Sequence, residues 1–291
     1  MLLQLPTELT AYIIRTAVHE YRFSDRQSVV SLASSSRVVY EIVGPILYHT
    51  IIVTDSNVDQ LESLASNSRT HQLAKRIFSH VRSFHNFSTK GYPIDARLLV
   101  NIESIESHEL MPLFLLTKLK SVHIPILDIG PEVPGQIGPA GVFAAVTHVI
   151  GTLPMFSYVD YWDSFFGDPA SWMRSLLEYL PAVTHLGLEY DYPWRDEGAG
   201  VIARFDCVAV GTAVRTALSD CPNIQCLVIR TCGLLAETRQ TDFEVALRDV
   251  GDSRVKIWVD MRRMADWHDY RALRILDVKE GRTIWTEARS L

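Results

Sequence analysis

Sulfur is scarce in this chain of 291 residues, and what there is does not form a recognisable site. The four cysteines, Cys207, Cys221, Cys226 and Cys232, contain no C-x2-C pair. If Cys226 and Cys232 share one strand, their sulfurs lie roughly 20 Å apart at about 3.3 Å per residue. That spacing does not suit zinc, and reduced, partly buried thiols fit an oxidant-poor compartment. A basic excess is also missing. Lys+Arg 28 against Asp+Glu 34 leaves a formal charge of -6, which argues against nucleic-acid binding as the main business of the chain. Long apolar runs are absent too. The longest weakly polar stretch, 138–161, is broken by Pro139, Pro154, three glycines and His148, so no membrane span of ~20 apolar residues is expected. The amino terminus has no charged region ahead of an apolar one, and Pro6 and Glu8 interrupt what would be a signal sequence. A cytoplasmic or nuclear location is expected.

Catalytic signatures are equally thin. Gly135, Gly138 and Gly141 are crowded by Pro131, Pro134 and Pro139, and no Lys or Ser/Thr follows at phosphate-binding spacing. His19-Glu20 lacks the second histidine of a zinc-protease helix, and Ser34 to Ser36 form no Gly-x-Ser-x-Gly elbow. Glu189, Asp191, Asp196 and Glu197 alternate with Tyr190, Tyr192 and Trp194. With no base or nucleophile nearby in sequence, these carboxylates read as a solvated acidic loop, and the aromatics as anchors for a protein partner. Tyr158, Tyr161, Trp162, Phe165 and Phe166 read as core, or alternatively as a recognition surface. No catalytic residue, cofactor or metal is expected.

What is present begins at the amino terminus. Pro6 suits the first turn of a helix, and Glu8 complements the positive end of its dipole. Leu9, Ile13, Ala17 and Val18 recur at helical spacing. Ser24 and Gln27 read as a capping box ahead of Val29, Val30 and Leu32, and a third helix from Arg37 to Val43 stops at Gly44-Pro45. Three short helices in about fifty residues form a unit with little core of its own.

Leu5-Pro6-x-Glu8-Leu9, Ile13, Leu32 to Ser36-Arg37, and Pro45-Ile46-Leu47-Tyr48-His49-Thr50-Ile51 together resemble the F-box. More closely, they resemble the F-box-like amino termini of fungal families in which a leucine-rich-repeat-like region follows. Tyr40 stands where that pattern often has tryptophan or phenylalanine. The resemblance implies docking on a Skp1-type adaptor, and through it on a cullin-RING ubiquitin ligase. Leu5, Pro6, Leu9, Ile13, Leu32 and Val38 would supply apolar contacts, with Glu8 and Arg37 setting polar register.

Past residue 50 a weak repeat sets the organisation. Leu116–Ile124, Leu153–Tyr161, Leu180–Leu188 and Cys221–Ile229 share one template: apolar, usually proline, any, apolar, two of any, apolar, any, apolar. A helix such as Trp172 to Tyr179 or Val208 to Ser219 ends at the proline, a turn follows, and alternating apolar residues enter a short strand. Stacked units of this kind make a solenoid. Between box and repeats, Asp59 to Ala65 reads as helix, His71 to Phe78 as loop or short helix, and Val81 to Phe87 as strand. Val255, Ile257 and Val259 form a terminal strand, with Asp266-Trp267, Gly281 and Trp285 to Ala288 as a cap over the last repeat.

The expected fold class is therefore α/β: a three-helix F-box-like unit over 1–53 and an irregular leucine-rich-repeat-like solenoid over 54–291. The expected function is that of a non-catalytic substrate receptor. Its target, an unidentified protein, would be held by the repeats, with Trp162, Tyr190, Tyr192 and Trp194 as candidate contacts. Nucleic-acid and membrane partners are not expected. A repeat scaffold outside any ligase, and an α/β enzyme with an unrecognised site, are the alternatives.

Overall fold

A computed structural model describes residues 6–90, 94–107, 116, 118–125, 145–154, 181–191, 207–262 and 267–291. The fold is α/β with two compact units, Met1–Ile105 with Leu115–Lys118, and Glu106–Phe114 with Leu119–Leu291.

In the first unit, helices α1 (Thr7–Tyr21), α2 (Arg26–Ala33) and α3 (Arg37–Leu47) share a core of Val18, Val29, Ala33, Val43 and Leu47. Their ends correct three expectations. Pro6 lies outside α1 as its N-cap, in an extended conformation, and its carbonyl accepts from the Thr10 amide at 3.0 Å. Asp25 caps α2 in place of Ser24, taking the Ser28 amide at 3.2 Å, since a carboxylate is the stronger acceptor at a helix start. Helix α3 runs through Pro45 instead of stopping at Gly44. Gly44 has no Cβ to clash with the proline ring, and burial of Leu47 extends the helix by one turn. Ser36 caps this helix on the Val39 amide at 3.2 Å.

Strand β1 (Thr50–Val53) then pairs in parallel with β2 (Ser83–Asn86), and helices α4 (Val58–Ser66) and α5 (His71–Phe78) lie between them in the chain. Strand β3 (Ser104–Ser107) bridges the two units in sequence: Ser104 and Ile105 belong to the first, Glu106 and Ser107 to the second.

The second unit holds β4 (Ser121–Pro125), β5 (His148–Pro154), β6 (His185–Asp191), β7 (Cys226–Cys232), β8 (Val255–Asp260) and β9 (Arg289–Ser290). Strands β4 to β8 pair in parallel in chain order, and β9 adds antiparallel to β8. Among the described strands, order without reversal leaves no topological switch point, where a doubly wound sheet would place a ligand. Helices α6 (Cys207–Asp220) and α7 (Gly233–Arg248) are the crossovers around β7. They cross closely at Gly211, where a Cβ would lie 2.8 Å from the Ala246 carbonyl oxygen. Leu186 pairs with Leu227 and Leu188 with Ile229, all four at 1% exposure or less, as the template predicts for adjacent parallel strands.

A repeated hydrogen-bond device marks the strand starts in both units. Two successive amides converge on one carbonyl of the preceding segment. In the first unit Arg82 and Ser83 donate to His49, and Glu103 and Ser104 to Arg82. In the second, Thr147 and His148 donate to Lys120, Thr184 and His185 to Thr147, and Gln225 and Cys226 to Thr184. The structural repeat therefore reaches β2 and β3, where the sequence template is silent.

The template is misplaced once. Leu153-Pro154 ends strand β5 and does not precede one. The matching unit lies upstream, where Ala145-Val146-Thr147-His148 repeats Ala182-Val183-Thr184-His185 residue for residue. Nor is β8 terminal, because β9 pairs along its free edge. Trp258, which alternates with Val255, Ile257 and Val259, is buried. The reason is helix α8 (Trp267–Glu280) and the single turn α9 (Ile284–Glu287), which lie on the sheet face that carries Glu189, Val228 and Trp258. The carboxy-terminal segment thus covers a face as well as an edge. All four cysteines are free thiols. Among the described residues no group of three or more His, Cys, Asp or Glu side chains could hold a metal, and no helix is long and apolar enough to cross a membrane.

Candidate functional site

Two sites stand out, one in each unit. The first is the outer surface of the amino-terminal helices. Leu9, Tyr12 and Ile13 are 43%, 67% and 48% exposed, and their i, i+3, i+4 spacing makes one ridge along α1. Val38, at 64% exposure, opens α3. The small core behind them is complete without these side chains. Leu32 is half-buried against that core, so it serves the internal packing of the unit rather than an outer face. Arg37 is exposed and spans to Glu41 at 3.1 Å, while Pro6 and Glu8 are exposed. Leu5 lies outside the described residues. Tyr12 was not anticipated, although its position one turn from Leu9 was readable.

The second site is a buried ion network on the sheet face beneath α8. Glu189 on β6, expected in a solvated loop, is wholly buried: it sits inside a strand whose face is covered. Arg230 on β7 bonds Glu189 and Asp260 at 2.6 Å each and stacks 3.9 Å above the Trp258 ring. Tyr270 of α8 donates to Glu189 at 2.7 Å. Arg274, one turn on, reaches Glu106 at 2.9 Å and Glu189 at 3.4 Å, and Asp277 takes Arg262 at 2.6 and 3.0 Å. His123 lies with Nδ1 3.0 Å from Glu106 and Nε2 3.3 Å from Glu189.

Arg282 also reaches Asp277 at 3.2 Å, so four carboxylates face four arginines and one imidazole. Burial alone would lower the His123 pKa, but Glu106 and Glu189 outweigh it and raise it. The ring sits between the two carboxylates, with Arg274 Nη2 also 3.1 Å from its Nδ1. Burial would raise Glu189, yet Arg274, Arg230 and His123 hold it well below the usual carboxylate range. The network is charge-complementary and sealed, the architecture of a clamp between sheet and helix. Its sequence signal was available: Glu189 and Arg230 both follow the last apolar position of the template and are register partners.

Beside the clamp, His148 and His185 stack at 4.2 Å, each with Nδ1 2.9 Å from the hydroxyl of the preceding threonine. Trp285 stands edge-on to both, at 5.5 and 5.6 Å. Burial lowers both histidine pKa values, helped by His185 beside His148 and by Lys256 beside His185. Of the candidate target contacts, Trp162, Tyr192 and Trp194 lie outside the described residues, as do 155–161, Trp172 to Tyr179 and the glycine-spaced loop. Tyr190 belongs to β6, not to a loop, and its backbone is paired with Leu153 and Thr231.

The two kinds of histidine predict opposite pH dependences. His123 has a raised folded pKa, so its contribution is complete below the unfolded value near 6.5 and is lost as pH rises through the folded value. In urea titrations, His123→Gln should lose most stability at acid pH, with the gap from wild type narrowing as pH rises. His148 and His185 have lowered folded values, so their contribution is complete above about 6.5 and is lost as pH falls. A gap for His123→Gln that does not change with pH would remove the imidazolium from the clamp.

A scan against protein-family models finds none that matches the chain, and a search of curated proteins returns no match.

Proposed function

We propose that the chain is the substrate receptor of a Skp1-cullin-F-box type ubiquitin ligase, working in the cytoplasm, the nucleus or both. Residues 1–53 would dock on the adaptor, and the irregular leucine-rich-repeat-like region would present a target protein. The observation that carries this reading is the outward apolar ridge of Leu9, Tyr12 and Ile13, with Val38, on a helical unit that needs none of them for its own core. Apolar side chains held at helical spacing and left wet are the signature of a surface that binds protein. Parallel strands in unbroken chain order, with β2, β3, β5, β6 and β7 starting on the same two-amide device, support the repeat half. In this reading transfer chemistry belongs to the ligase's other subunits.

The test is co-purification with a Skp1-type adaptor. Leu9→Asp/Ile13→Asp should fold normally and lose about 2–4 kcal/mol of adaptor binding, a 30- to 1,000-fold weakening. Adaptor capture by the folded double variant at wild-type affinity, or none by the wild type, would overturn the assignment.

A further inference from the structure

The last ten residues of the chain lie on the sheet as a ligand would. Ile284 enters a recess formed by Ile150, Val228 and Trp258 and floored by Gly187, where a Cβ would come within 3.0 Å of the Ile284 Cδ1. Trp285 covers the His148–His185 stack. Arg289 and Ser290 then run antiparallel along the free edge of β8, opposite Ile257 and Lys256. These contacts combine side-chain recesses with strand addition, the way an extended peptide is read by a sheet.

The same segment is weakly tied to the rest of the chain. Helix α8 is locked by the ion network, but Gly281, at φ +70°, separates it from the tail. Four residues of α9 cannot hold a helix unaided. Both β9 residues are exposed, and the Arg289–Glu244 ion pair is at the surface, where such pairs contribute little. Past Arg282, which is ion-paired to Asp277 at 3.2 Å and to Glu280 at 2.6 Å, the segment is kept down by Ile284 and Trp285, by Ala288 beside them, and by a short strand edge.

We propose that the face of β5 to β8 around Gly187 is a peptide-recognition groove occupied in cis by residues 284–290. Its external ligand would be an extended protein segment carrying an aliphatic residue followed directly by an aromatic one. The ligand displaces the tail, adds antiparallel to β8, and seats its two side chains where Ile284 and Trp285 now lie. The proposal rests on the receptor reading only for what capture accomplishes; the groove stands without the adaptor. Tethering gives the tail an effective concentration on the order of millimolar, so an outside peptide must compete with it.

The experiment uses the full chain and a fluorescent peptide of residues 282–291, with no adaptor present. Trp285→Ala, which frees the groove, should bind the peptide saturably below 1 mM and at least tenfold more tightly than wild type. A peptide with both anchors changed to alanine should not bind, and adding Gly187→Leu should abolish binding by filling the recess. Absence of binding by a cooperatively melting Trp285→Ala protein overturns the proposal, and so does equal binding of a scrambled peptide. Hydrogen exchange on the wild type gives a second reading that requires no variant to fold. Amides of 284–290 should exchange at least a hundredfold faster than those of α8, and equal protection would make the tail an integral part of the fold.

Discussion

Replacing Glu189 with alanine is expected to cost about 3–5 kcal/mol of folding free energy, because it leaves buried positive charge without its main counter-ion. Arg230 and Tyr270 each give Glu189 a short bond, and Arg274 and His123 face it as well. Removing the carboxylate leaves Arg230 with Asp260 and Arg274 with Glu106, one acid partner short each, in a region that water does not reach. Glu189→Gln keeps acceptor and shape while removing the charge, so it should fall between alanine and wild type. An intact ion cluster of this kind is not by itself a source of net stability, since desolvating its members offsets much of their attraction. Its effect is positional: α8 can lie on the sheet in one place only, with Tyr270, Arg274 and Asp277 meeting their partners together. A loss below 1 kcal/mol in urea titration of Glu189→Ala would mean that water reaches the cluster and that α8 is held by something else.

Leu227→Asp should abolish the cooperative unfolding transition of the second unit. Leu227 is wholly buried and lies in register between Leu186 and Val255, so a carboxylate there has neither solvent nor a cation. Its cost, several kcal/mol for an unpaired ionisable group, is comparable to the whole stability of a typical domain. Leu227→Ala removes the same contacts without adding a charge and should cost about 2–5 kcal/mol. Helices α1 to α3, with their own core of Val18, Val29, Ala33, Val43 and Leu47, should keep their protection in hydrogen exchange. A Leu227→Asp protein that melts cooperatively within 1 kcal/mol of wild type would place that strand outside the core.

Local periodicity was enough for much of this fold. The three amino-terminal helices, α4, α6, and strands β2, β4, β6, β7 and β8 follow from spacing of apolar side chains and from helix-stopping residues, because these act over a few bonds. It failed where a nearby alternative competed. Asp25 outcompeted Ser24 as a cap, and Gly44 let Pro45 stay inside α3. Around β5 the proline at 154 drew the repeat template downstream, although Ala145-Val146-Thr147-His148 marked the true start of the strand.

Side-chain period alone makes the chain α/β, buries Leu186, Leu188, Leu227 and Ile229 in strands, and sets Leu9 and Ile13 on one helical face. Which polar residues are inside depends instead on how distant segments pack. Glu189 reads as a surface acid until α8, some eighty residues later in the chain, brings Tyr270 and Arg274 onto it. Packing likewise places Ile284 and Trp285 in a recess over Gly187 and the paired histidines. Such contacts join residues far apart in sequence, and their free energy comes from partners and excluded water that no local pattern encodes.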